Sequence, residues 1–140
     1  MLGLLADENA EKYLGAVLSV CRSRRWVALW EALDVRVLNF EDLLLARSVS
    51  DDVLWFACQR EAVVLFTDNR NSDGSDSLQA TILAHNTVSS LPVLTPGESP
   101  RLLTEQDYLE RAAIRLMEIL MDIDQYRGTG RLFIPSATHP

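Results

Sequence analysis

Aspartates at three places sit where short apolar runs meet polar chain. Leu2 to Ala6 runs into Asp7-Glu8-Asn9, Ser50-Asp51-Asp52 precedes Val53-Leu54, and Ala62 to Phe66 ends in Thr67-Asp68-Asn69. Asp73 and Asp76 follow in the next polar stretch. Carboxylates crowded within a few ångströms repel one another and raise each other's pKa unless a cation is present. A divalent ion resolves that conflict. Mg²⁺ and Mn²⁺ prefer hard oxygen ligands, and Mg²⁺ keeps several waters, so two or three carboxylates and a substrate phosphate complete a site. Such a site can activate a water and stabilise charge developing on a phosphodiester, with no need for a His, Ser or Cys nucleophile.

Each acid also has a purely local use. Asp7 could cap the first helix, with Glu8 and Asn9 offering similar chemistry, and Asp51 and Asp52 could cap theirs after Ser50. Asp76 followed by Gln79 has capping-box spacing. Asp68 is the strongest ligand candidate because it ends the cleanest strand. Asp73 is favoured slightly over Asp76 as a further acid. The run from Asn69 to Gly74 partly imitates a calcium-binding loop, but its twelfth position is Ala80 where a bidentate Glu is needed and its first is Asn. A phosphoacceptor receiver domain places acids similarly, yet its essential Lys has no counterpart, since Lys12 is the one lysine. No GxxxxGK[ST] loop or GxGxxG turn is present.

Positioning these acids requires strands that end together. Leu2 to Ala6 reads as a central strand buried on both faces, and Ala62 to Phe66 is the clearest strand of all. Between them, 10–33 carries a three- and four-residue apolar period broken at Arg24-Arg25, which predicts one long helix or two short ones. Val35 to Phe40 reads as a second strand, and Ser50 to Arg60 as a compact helix. After the loop from Asp68 to Ser77, Leu78 to Ala84 predicts a helix and Leu91 to Leu94 a fourth strand, placed by Pro92 near an edge or at its own start. Thr104 opens the last long helix, with the stripe Leu109, Ala113, Leu116, Leu120 and Ile123 against the sheet. Arg131 to Ile134 would be a short edge strand or a docked tail. Strand and helix alternate, so the fold class is α/β with a mainly parallel sheet and helices on both faces. In such sheets the site lies beyond the carboxyl ends of the strands, where Asp7 and Asp68 fall.

With 140 residues, 48% apolar and 24% charged, the chain has the size and composition of one globular domain over 1–140. Its acidic motifs lie in 1–90, and the last helix and tail, 104–134, pack on them. A net charge of −7 argues against broad attraction to nucleic acid, so any such contact must be local. Arg22, Arg24 and Arg25 cluster at a helix end, where the dipole favours them. Cys21 and Cys58 lie in apolar helical stretches without metal spacing and read as buried thiols. His85 and His139 lack partners for a transition metal. Trp26, Trp30 and Trp55 read as core or interface anchors, and Met117 and Met121 as gap-fillers. No apolar run is long enough to span a membrane and no basic flank leads an apolar stretch at the start, so a cytoplasmic location is expected.

Leu4-Leu5-Ala6-Asp7-Glu8-Asn9, Ser50-Asp51-Asp52-Val53-Leu54-Trp55 and Val63-Val64-Leu65-Phe66-Thr67-Asp68 resemble the three acidic motifs of small bacterial PIN-like proteins, over about the first 70 to 80 residues. The resemblance implies a three-layer α/β/α fold with a four- or five-stranded sheet and an Mg²⁺- or Mn²⁺-dependent endoribonuclease. Carried over residue by residue, it puts Asp7, Asp51 and Asp68 at metal-ligand positions and Asp73 or Asp76 as a further acid. Glu8 and Asp52 are neighbours in the same motifs, and the adjacent pair leaves the register open between Asp51 and Asp52. Asn69-Arg70-Asn71 replaces the usual acidic or aromatic continuation, with Arg70 placed to grip a substrate phosphate. RNA is the partner implied. The alternative is a non-catalytic module that keeps the fold and pairs with a protein through the last helix, or with its own copy around Trp26 and Trp30.

Overall fold

Short apolar runs become strands here because neither of their faces meets water. A computed structural model describes residues 1–135, and in it β1 (Gly3–Ala6), β3 (Val63–Phe66) and β4 (Val93–Pro96) are buried at every position. The flanking strands β2 (Arg36–Leu38) and β5 (Arg131–Ile134) are more exposed. The five form one sheet in the order β2-β1-β3-β4-β5, and every neighbouring pair is parallel. The expected α/β class is what the chain adopts. Parallel neighbours need crossover connections, supplied by α1 (Glu11–Cys21), α2 (Val27–Leu33), α3 (Asp51–Arg60), α4 (Leu78–His85), α5 (Arg101–Thr104), α6 (Gln106–Met121) and α7 (Ile123–Tyr126).

The period-two alternation of strand side chains divides the core into two layers. Leu4, Ala6, Val64, Phe66, Leu94 and Ile134 point to the face covered by α1, α2, α5 and α6. Leu5, Val63, Leu65 and Val93 point to the opposite face, under α3 and α4. On α6 the expected stripe packs as its spacing requires, with Ala113, Leu116 and Leu120 buried and Leu109 half-buried, while Ile123, also half-buried, falls after the break at Asp122 and belongs to α7. Trp30 and Trp55 are core residues of opposite layers, and Trp26 packs on the cluster that holds Trp30. Cys21 and Cys58 are free and buried.

Local chemistry moves several boundaries. The stretch 10–33 divides into two helices at Ser23, whose hydroxyl donates to the Val20 carbonyl at 2.6 Å and ends the first. The second strand is shorter than Val35 to Phe40, because Asn39 and Asp42 form a reciprocal capping box that turns Phe40–Leu43 into a 3₁₀ turn and sinks Phe40 into the core. The last helix does not begin at Thr104: Glu105 is extended, at φ −126° and ψ 108°, and separates α5 from α6. Met121 fills no gap, being 51% exposed at the end of α6. Pro92 marks a strand start and not an edge, since β4 lies between β3 and β5. His139 lies outside the described residues.

This strand order creates a reversal. From β1 the chain steps outward to β2, then crosses back over β1 to reach β3 and continues away to β5. The connections leaving β1 and β3 therefore diverge and open a crevice beyond their carboxyl ends. Asp7 and Thr67-Asp68 are the residues that leave those two strands.

Candidate functional site

Asp7 continues the ladder past β1, its amide donating to the Phe66 carbonyl at 2.9 Å, while the Thr67 amide does the same to Leu94. Both chain exits are thus held in register by the sheet. The Asp7 carboxylate accepts the Glu8 amide on Oδ1 at 2.7 Å and the Thr67 hydroxyl on Oδ2 at 3.0 Å. Capping the 3₁₀ turn Glu8–Ala10 and lining a cleft are therefore compatible jobs for this one side chain.

Asp51 opens α3, and its Oδ2 accepts from Asn69 Nδ2 at 2.9 Å. Asp52, its neighbour, is drawn elsewhere. Its Oδ1 accepts the Ser50 hydroxyl at 2.6 Å and the Val53 amide at 2.8 Å, and these two bonds, the hydroxyl first, hold its carboxyl below the usual range. Of the adjacent acids, Asp51 lines the cleft and Asp52 does not. Asp68 Oδ1 accepts from the hydroxyl of Ser99, a buried residue on the turn between β4 and α5.

Asp7, Asp51 and Asp68 come together on one open cleft of about 510 Å³, with Glu8, Asn9 and Asn69 also on its wall. Arg47 is the one cation among the lining residues. Its guanidinium pairs with Glu11 and approaches Glu8 at 3.9 Å, which raises its pKa, the Glu11 bond acting first. The pair is about half exposed, and exposed pairs of this kind add little stability.

The remaining sequence candidates stand apart. Asp73 and Asp76 are exposed and do not line the cleft. Asp76 does not cap α4 either, because Ser77 takes that position and accepts the Ala80 amide at 3.2 Å. Arg70 Nη2 donates to the Pro96 and Gly97 carbonyls at 2.7 and 2.8 Å, and its guanidinium lies 5.0 Å from the Phe133 ring centroid. That side chain staples a loop to the sheet. Sequence reasoning missed Thr67, Asn69, Ser99 and Arg47. Thr67 and Asn69 adjoin Asp68 and could have been flagged as its polar flank. Ser99 and Arg47 lie in irregular stretches where no periodicity marks a side chain's direction.

The chemistry of the donor set tests whether a metal suits this cleft. Among the described residues no three His, Cys, Asp or Glu side chains stand close enough to hold an ion by themselves. A closed protein cage of the calcium type does not fit. A hydrated Mg²⁺, which takes one or two carboxylates and fills the rest of its octahedron with water and phosphate, does. Asp51 Oδ1 and Asp68 Oδ2 accept no hydrogen bond from any described residue, so each acid is oriented through one oxygen and has the other to offer. All the candidate donors are hard oxygens, which select Mg²⁺ or Mn²⁺ over softer metals.

Lys12 lies on α1 with its ammonium 5.1 Å from the Tyr13 ring centroid, not at a strand end where a phosphoacceptor would use it. Among the described residues no helix is long and apolar enough to cross a membrane. Comparison with protein-family models, curated proteins and solved structures finds no match for the chain.

Proposed function

We propose that this chain is an Mg²⁺- or Mn²⁺-dependent phosphodiesterase acting on RNA, with Asp51 and Asp68 as the carboxylates that bind the hydrated ion and Asp7 joining it through water. One observation carries the reading. Three acids from three separate segments line a single cleft at the point where the strand order reverses, and open parallel sheets bind their ligands there. The motif order that resembles PIN-like proteins adds RNA as the substrate class.

When bound, the ion would supply Lewis-acid stabilisation of the phosphodiester and a more acidic water. The chain's own residues do the rest. Thr67, Asn69 and Ser99 each hold one oxygen of a cleft carboxylate, which fixes the acids before any ligand arrives and lowers the reorganisation needed on binding. Arg47 is the local positive charge that an otherwise acidic wall offers to a phosphate.

Asp68→Asn is the deciding variant. It keeps the Ser99 hydrogen bond through its amide oxygen and removes one negative charge. Mn²⁺ binding by calorimetry and Mn²⁺-dependent RNA cleavage should both be lost, with the melting temperature unchanged or raised because repulsion among the acids is relieved. Undiminished cleavage by Asp68→Asn would reject the assignment. A non-catalytic interaction module is favoured by the same hydrogen bonds, since they already satisfy part of each carboxylate, and a wild-type protein that binds no Mn²⁺ would leave that reading standing.

A further inference from the structure

We propose that Arg131, on the edge strand β5, is a positioning residue for the acidic cleft, fixing the backbone at Asn69 and through it the placement of Asp51 relative to Asp68. The observations start from its hydrogen bonds. Arg131 Nη1 donates to the Asn69 carbonyl at 2.9 Å and to the Thr95 hydroxyl at 2.6 Å, while Nε and Nη2 converge on Gln79 Oε1 at 3.2 and 3.1 Å. One guanidinium thereby ties β5 to β4, to the loop after β3 and to the first turn of α4.

The loop so held is the one that leaves β3 with Asp68. Asn69, whose carbonyl Arg131 grips, is the residue whose side chain donates to Asp51. Its neighbour Arg70 fixes the same segment to Pro96 and Gly97, and Ser99 from that turn holds Asp68. The segment 68–70 is therefore set by contacts from β5, the β4–α5 turn and α3 at once.

Arg131 takes this position at a cost. It is partly buried, its partners among the described residues are neutral oxygens with no carboxylate, and burial, with the nearby charge of Arg70 second, pulls its pKa down. An apolar residue would suit a sheet edge without that cost. What an apolar residue lacks is a rigid fork of donors able to reach acceptors on three segments, which is the property that separates Arg from Lys as well.

The role of Arg131 in metal binding rests on the cleft reading proposed above; its hold on the loop does not. Arg131→Met, Arg131→Lys and Gln79→Ala in the full chain separate the two, read by amide exchange over 68–77, Mn²⁺ calorimetry and steady-state RNA cleavage. Arg131→Met should speed exchange across 68–77 and weaken Mn²⁺ binding about tenfold, the scale on which residues behind metal ligands act. Arg131→Lys, able to reach Asn69 but not all acceptors together, should recover part of both. Gln79→Ala should shift both the same way by less, and it decides the matter if Arg131→Met does not fold. Faster loop exchange with unchanged Mn²⁺ affinity would overturn the positioning role, and unchanged exchange in Arg131→Met and Gln79→Ala would overturn the clamp itself. If the wild type binds no Mn²⁺, the cleft reading falls while the exchange data still judge the clamp.

Discussion

Asn69 Nδ2 donates to Asp51 Oδ2 at 2.9 Å, joining the exit of β3 to the first residue of α3 across eighteen positions of sequence. The bond makes the loop after β3 and the start of α3 one structural unit. It also decides which of two adjacent aspartates faces the cleft, because Asp52 is occupied by Ser50 and Val53.

Asn69→Ala should therefore act at two levels. Losing a single partly buried hydrogen bond to a carboxylate is expected to cost about 1 to 2 kcal/mol of stability, read from denaturant midpoints. Mn²⁺ affinity should fall in the same variant because Asp51 is freed to rotate. An unchanged affinity would mean that Asp51 orientation does not depend on Asn69.

Arg47→Ala tests the cation of the cleft. If this side chain meets a substrate phosphate, the variant should raise KM for RNA with kcat little changed. The slope of log binding constant against log salt should become shallower by about 0.7 for the loss of one contact to a single strand. Equal salt slopes in the two proteins would confine Arg47 to its ion pair with Glu11.

The two thiols set an alkaline limit on stability. Burial pushes Cys21 from 9.0 to about 11. It pushes Cys58 from 9.0 to about 12, with the charge of Asp7 adding to the rise. A thiol that holds its proton more tightly when folded favours the folded state fully below the unfolded value and loses that contribution as pH rises through the folded one. The melting temperature should thus decline from about pH 9 upward, and the double variant Cys21→Ala, Cys58→Ala should decline less steeply over the same range. A thiol reagent should label neither cysteine until the protein unfolds.

Leu116 is one of the buried residues by which α6 packs on the core. It is fully buried among α1, α2 and the sheet, and Leu116→Ala should cost about 2 to 5 kcal/mol. Chemical denaturation would check the figure. A loss well under 1 kcal/mol would show that α6 is not held by this stripe.

Local chain properties made much of this protein readable in advance. Runs such as Leu2 to Ala6 and Val63 to Phe66 announce central strands because a segment buried on both sheet faces carries mostly apolar side chains. The α6 stripe announces its packed face because 3.6 residues per turn put Ala113, Leu116 and Leu120 on one side. Asp7 and Asp68 were legible as site candidates for the same reason, since a carboxylate that follows a buried strand must emerge at its carboxyl end. The boundaries that moved were those set by side chains bonding to nearby backbone, as Asn39 and Asp42 do ahead of Phe40.

Only the tertiary structure decided which polar residues meet. The cleft depends on the order β2-β1-β3-β4-β5, which brings Asp7, Asp51 and Asp68 to one wall and leaves Asp73 and Asp76 outside it. Ser99 reaches Asp68 across 31 positions, and Arg131 reaches Asn69 across 62. Neither pairing has a periodicity or a motif to announce it, because a hydrogen bond between distant segments is fixed by how strands and helices stack. Sequence spacing governs the direction of a side chain within its own element, and the packing of elements governs what it finds there.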